Sequence, residues 1–109
     1  MKKLKWIDAQ KEIETGVVYL EFSVDWCGDC KMQKFVNDQI TEHYADNEKI
    51  KLIQVDAEEA ELFRKKGTRF EVLFVPTHIV MKDGEILFKR FDYTPKEILV
   101  EQIDKALAL

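Results

Sequence analysis

The apolar positions of this chain change period several times, and each change marks an element. Val17-Val18-Tyr19-Leu20-Glu21-Phe22-Ser23-Val24 is an almost unbroken β-branched and aromatic run, bounded by Gly16 and by the polar Asp25. It predicts a strand buried on both faces, with one acid, Glu21, inside it. From about Cys27 to Tyr44 the spacing turns helical: Phe35 and Val36, then Ile40, then Tyr44, with Lys and Asp between them. Ile50 to Val55 predicts a second strand, ending at Asp56. Upstream, Trp6 to Glu14 predicts a short helix, with Asp8 as its N-cap and Gly16 closing the turn after it. The first few residues suit a short strand.

Downstream, Ala57 to Lys66 reads as a short charged helix closed by Gly67. Val72 to Met81 is apolar again but carries Pro76, which excludes a plain central strand and marks an edge, a strand entry or a cis bond. Lys82-Asp83-Gly84-Glu85 is the strongest hairpin signal, since Asp-Gly suits a type I′ turn. Ile86 to Phe91 is then the returning strand. Thr94-Pro95-Lys96-Glu97 reads as a capping box with proline at the first helical position. It opens a last helix with Ile98, Leu99, Ile103, Ala106 and Leu107 on one face.

The first half is thus a βαβ unit, whose two strands run parallel with a right-handed crossover. The Asp-Gly hairpin adds antiparallel strands. The predicted class is α/β, with a central mixed sheet of four or five strands and helices on both faces. There is no internal repeat, low-complexity tract or linker, and 109 residues make one ordinary domain, 1–109. Apolar residues at 46% and charged residues at 35% are a globular balance. The net charge of −4 argues against a nucleic-acid backbone or an anionic membrane as the main partner. No apolar stretch is long enough to span a bilayer. Met1-Lys2-Lys3-Leu4-Lys5 starts basic, but Asp8, Lys11, Glu12 and Glu14 follow and no apolar signal region develops. A cytoplasmic protein is expected.

The chemistry lies in Trp26-Cys27-Gly28-Asp29-Cys30, where a buried strand gives way to a helix. A cysteine at a helix N-terminus faces unpaired N–H groups and the positive end of the dipole, which stabilise its thiolate. Cys30 falls nearly one turn on, within reach of Cys27, so it can attack a mixed disulfide formed there. Gly28 leaves the approach open. A structural bridge across so short a loop removes little unfolded-state entropy. His43 and His78 are not spaced as a second zinc-ligand pair, and two inert buried thiols are the remaining alternative. A redox dithiol beside a βαβ unit accounts best for the pair.

Glu21-Phe22-Ser23-Val24-Asp25-Trp26-Cys27-Gly28-Asp29-Cys30-Lys31 resembles the active-site segment of the thioredoxin family. Val75-Pro76-Thr77 resembles that family's cis-proline loop, and Lys82-Asp83-Gly84-Glu85 the hairpin after it. The spacings fit, so the resemblance covers essentially the whole chain and implies a thioredoxin-like fold. It also implies roles: Cys27 as nucleophile and Cys30 as resolving thiol, with Pro76 cis and facing them. Val75 would offer its backbone to an extended substrate segment, and Trp26 would cover one side of the thiol. Glu21 stands where thioredoxins carry a buried Asp behind the second cysteine. A carboxyl in an apolar strand has a raised pKa and can take the Cys30 proton; an edge or outward-facing acid is the alternative. His78 reads as a packing or surface residue, with a titrating group near the site as its alternative. His43 is assigned no role.

The chain also departs from the family. Asp29 stands where proline usually separates the cysteines. Leu52 stands where a lysine usually pairs with the buried acid, which should leave Glu21 with a higher pKa. Phe70-Glu71-Val72-Leu73-Phe74 is bulkier than the usual approach to the proline, and Asp92-Tyr93 replaces a rim glycine. These changes bear on partner choice rather than on the dithiol. The expected function is a thiol-disulfide oxidoreductase, a thioredoxin-like reductant of protein or small-molecule disulfides. It would act as a monomer, with no bound metal or organic cofactor, and a reductase would recycle the dithiol. An exported oxidase or isomerase, and a non-catalytic binding module on the same fold, are the rivals.

Overall fold

The computed structural model describes residues 1–109. The elements are β1 (Lys2–Lys3), α1 (Trp6–Glu12), β2 (Val17–Ser23), α2 (Gly28–His43), β3 (Ile50–Asp56), β4 (Thr77–Lys82), β5 (Glu85–Phe91) and α3 (Lys96–Leu107). They build one five-stranded sheet of order β1-β3-β2-β4-β5. β1 and β2 both run parallel to β3, whereas β4 is antiparallel to β2 and to β5. The sheet is therefore mixed, as expected.

β2 is central, and every one of its residues is buried. Its side chains alternate between two cores. Val18, Leu20 and Phe22 pack on one face with Ala9 and Ile13 of the first helical segment, Ile53, Val55 and Phe70. Val17 and Tyr19 pack on the other with Val36 and Ile40 of α2 and with Leu99, Ile103 and Ala106 of α3. Helices thus cover both faces. The Asp83-Gly84 turn has positive φ at both residues, 49° and 83°, as a type I′ hairpin requires. Pro76 immediately precedes β4, an interior strand, so it marks a strand entry; the Val75–Pro76 bond is cis.

Four local expectations are corrected. No helix forms over Ala57 to Lys66. The side chain of Asp56 accepts from the N–H groups of Glu58 and Glu59, and Ala60 N–H reaches Asp56 O, but Glu61 then turns left-handed at φ 58° and Arg64 at 61°. One turn does not cover the cost of helix nucleation, and four acids between Asp56 and Glu61 repel one another. Gly67 takes a positive φ without capping a helix. Asp8 is not an N-cap: α1 begins at Trp6 with Lys5 as its cap residue, and Glu59 supplies the acceptor for Trp6 N–H at 3.2 Å. Packing sets that start, since the Trp6 ring lies 5.5 Å from Phe22 and 5.6 Å from Phe70.

The capping box does not form either. Thr94 is fully buried, its hydroxyl donates to Asp92 O, and Pro95 is the N-cap. Gln33 of α2 holds Thr94 instead, accepting from its N–H at 2.8 Å and donating to its carbonyl at 2.9 Å. Finally, Phe35 is 73% exposed rather than in the core. The inward face of α2 runs Cys30, Gln33, Val36, Asn37, Ile40, so polar groups occupy part of the apolar seam.

Candidate active site

β2 ends at Ser23, and α2 starts at Gly28. Between them Cys27 takes the N-cap position, φ −88° and ψ 121°, where its Sγ accepts from Cys30 N–H at 3.1 Å. That place normally holds a Ser, Thr, Asp or Asn oxygen. Here a sulfur meets the orphan N–H at the positive end of a sixteen-residue helix. The Cys27 thiol also lies 3.6 Å from Val75 O, to which it donates. Both cysteines are free thiols.

Cys27 opens on a cleft of about 370 Å³. Trp26, Gly28 and Asp29 form one wall, Phe63 and Arg64 another, and Leu73, Phe74, Val75 and Asp92 the rest. A Cβ on Gly28 would meet no atom within 4 Å, so the approach to Cys27 is unobstructed there. Asp92 takes φ 70°, a conformation that suits glycine. A wider depression of about 720 Å³ lies at the far end of α2, around Glu42, Asp46 and Lys49, and contains no cysteine.

Cys30 sits behind Cys27, and its thiol is pushed far above the ordinary cysteine range. Burial is the main cause, and the Cys27 sulfur beside it and the charge of Glu21 add to it, against a backbone hydrogen bond from Val24. Glu21 is fully buried in β2, which excludes the outward-facing alternative. Burial raises its pKa, while hydrogen bonds from Asn37 and Gln54 oppose the rise. Asn37 Nδ2 donates to one carboxyl oxygen at 2.6 Å, and Gln54 Nε2 to the other at 2.7 Å. Leu52 is partly buried in the apolar layer on the α2 side. The lysine position is thus a packing residue, and neutral amides do the work.

His78 is also fully buried. Its Nε2 lies 2.9 Å from Asp92 O, and its Nδ1 lies 2.7 Å from the Tyr19 hydroxyl. Burial is the chief cause that lowers its pKa, to about 4. The sign of the linkage follows: below about pH 6.5 the unfolded chain binds a proton that the folded ring refuses. This group therefore costs stability as pH falls from about 6.5 to about 4, by on the order of 3 kcal/mol, and nothing further below that. Glu21 acts oppositely above its ordinary 4.5, so the ring is best followed alone. Its carbon-bound protons should titrate by NMR near pH 4; a midpoint near 6.5 would contradict the buried, neutral ring.

The family model described as Thioredoxin matches residues 4–105. The chain belongs to the thioredoxin family. It is 40% identical over 104 residues to the thioredoxin of Mycoplasmopsis pulmonis (strain UAB CTIP), covering 94% of this chain and 95% of that one. It is 33% identical over 96 residues to the thioredoxin of Bacillus subtilis (strain 168), with 88% of each covered. A solved structure of Plasmodium falciparum thioredoxin shares the fold, with a TM-score of 0.76 at 23% identity, covering 96% of this chain and 98% of that chain. As a member of the thioredoxin family the chain is a thiol-disulfide oxidoreductase of the reductant type.

On this thioredoxin fold Cys27, Gly28 and Val75 line the cleft, Cys30 N–H meets the Cys27 sulfur, Glu21 is buried beside Cys30, Pro76 follows Val75 across the cis bond, and Trp26 forms part of the cleft wall. It is 59% exposed, its indole donates to Glu58 at 3.0 Å, and its ring packs 5.7 Å from Phe63. Cys27 and Cys30 are each 7% exposed. Sequence reasoning missed Asn37, Gln54, Tyr19 and Gln33. Their signal was present, since Gln33 and Asn37 fall three and seven residues after Cys30 on one helix face, and Tyr19 shares a strand face with Glu21.

Proposed function

We propose that residues 1–109 act as one domain that reduces disulfides through Cys27, with Cys30 resolving and Glu21 accepting the Cys30 proton. One observation carries the reading: Cys27 Sγ is held by Cys30 N–H at the mouth of the cleft, against Val75 O. The Cys27 thiolate attacks one sulfur of a substrate disulfide, forming a mixed disulfide and releasing the other sulfur as a thiolate. Cys30 then gives its proton to Glu21 and attacks Cys27. The Cys27–Cys30 disulfide forms, and the second substrate thiolate leaves. Two electrons pass to the substrate, and a reductase dithiol returns two.

The order of steps has a physical basis. Negative charge on Cys27 opposes ionisation of Cys30, and a mixed disulfide at Cys27 removes that charge. Trp26, Gly28, Val75 and Pro76 form the substrate-binding surface, with Val75 O positioned for main-chain pairing with an extended segment. The cleft and both thiols lie within one chain, which supports action as a monomer. A reducing dithiol is kept reduced in the cytoplasm rather than outside it, which supports a cytoplasmic location.

Strongly oxidising dithiols owe their potential to a stabilised reduced form. Here burial and neighbouring negative charge keep Cys30 a thiol, so it lends the reduced form no thiolate stabilisation of the kind a strong oxidant relies on. Equilibration against a glutathione series, read by Trp26 fluorescence, should place the couple below about −230 mV. A value near −180 mV or above would contradict the reading and favour an oxidase or isomerase.

A further inference from the structure

The carboxyl behind the dithiol has no cation beside it. Its oxygens rest on two amides, and one of these, Asn37, continues into a buried polar chain. Asn37 Oδ1 lies 3.3 Å from the Tyr19 hydroxyl, which lies 2.7 Å from His78 Nδ1, and His78 Nε2 lies 2.9 Å from Asp92 O. Tyr19, Glu21 and His78 are fully buried and Asn37 nearly so. No buried side-chain nitrogen or oxygen in the protein lacks a partner.

Donor and acceptor chemistry sets the directions. A backbone carbonyl only accepts, so His78 Nε2 carries the proton and Nδ1 is bare. Tyr19 is a phenol throughout, because burial raises its pKa well above the ordinary value. Its one proton points at Nδ1, with Asn37 Oδ1 as the second, longer acceptor. That proton is shared with the longer contact, and the oxygen end of the Asn37 amide is the end held toward Tyr19. The nitrogen end is then left facing Glu21, where it donates at 2.6 Å.

We propose that Tyr19 is a positioning residue for Glu21, acting through Asn37, and that His78 orients Tyr19 while anchoring the chain to Asp92 on the cleft rim. This rests on the reading of Glu21 as proton acceptor for Cys30. The titratable groups facing Glu21 are Cys30 from α2 and His78 from β4, its register partner. Tyr19 lies on its own strand, and β3 presents only the uncharged Gln54 and Leu52. His78 in turn has Arg90 of β5 as its register partner, and that charge opposes protonation of the ring. Without a cation nearby, the proton affinity of Glu21 depends on how its amide donors are held.

The test is an infrared pH titration of the carboxylic-acid band of Glu21 in the reduced full chain, with the band identified by its loss in Glu21→Gln. Asn37→Leu removes a donor to the carboxylate and should raise the midpoint by about one pH unit. Tyr19→Phe should raise it by about half a unit, and should add nothing in the Asn37→Leu background, because it acts through that residue. The rising limb of Cys30-dependent turnover should move with the midpoint. An unchanged midpoint in folded Tyr19→Phe, or an effect that survives Asn37→Leu, overturns the proposal. Nitrogen NMR of the wild-type protein tests it without any substitution: His78 should be the Nε2–H tautomer, and an Nδ1–H tautomer contradicts the chain. If Glu21→Gln turns over normally, the proton-acceptor reading fails, while the band shifts still decide whether Tyr19 positions the carboxyl.

Discussion

Cys27→Ser is expected to lose disulfide reduction altogether, a fall of at least about 10³-fold, while keeping its fold. A serine oxygen still fits the N-cap and accepts Cys30 N–H, because serine is a preferred residue there. It cannot attack a disulfide at neutral pH. Cys30 does not substitute for Cys27, because burial and Glu21 hold its thiol protonated far above the ordinary range. Cys30→Ser should lose turnover to a similar extent for a different reason, stopping after the first step. Steady-state reduction of a model disulfide, with a thermal melt of each variant, checks the pair. Substantial turnover by Cys27→Ser would show that Cys30 can open the reaction despite a thiol that burial keeps protonated.

Glu21→Gln should slow the resolving step by on the order of 10²-fold or less, the range for removal of a general base. The amide keeps the shape of the carboxyl but cannot take a proton. It also brings its own N–H₂ toward Asn37 or Gln54, both of which donate to the carboxyl now. One amide must turn, at a cost of about 1–2 kcal/mol in stability. In the wild-type protein the resolving step should rise with pH as Glu21 ionises, with the midpoint displaced upward by burial. The variant should lack that limb. Stopped-flow measurement of mixed-disulfide resolution from pH 6 to pH 9 distinguishes the two. A wild-type rate throughout would remove Glu21 from the mechanism.

Much of this was legible in the chain itself, for identifiable reasons. β2 is buried on both faces and reads as an apolar run; the Asp-Gly turn has few alternatives; and CxxC after a strand places a sulfur at a helix start. What was not legible depended on contacts distant in sequence. Thr94 followed by Glu97 carries a local capping signal, but Gln33, sixty-one residues away, claims the Thr94 backbone. Asp56 begins a turn that positive φ at Glu61 and Arg64 keeps from becoming a helix. The register that sets Glu21 between Gln54 and His78 follows from strand order, which periodicity alone does not supply. His78 therefore read as a packing or surface residue, when it is a fully buried member of a polar chain. Leu52 correctly signalled a missing cation but could not reveal that Gln54, two residues on, supplies a donor instead.

The division of labour between the two thiols is tested most directly by trapping. The reduced Cys30→Ser protein is mixed with a small disulfide and quenched with acid, and the adduct is located by peptide mass mapping. One substrate half should be found per chain, bound to Cys27 and released by added thiol. A Cys30→Ser protein that stays unmodified, with Cys27→Ser instead carrying the adduct on Cys30, would contradict the assignment of Cys27 as the attacking sulfur.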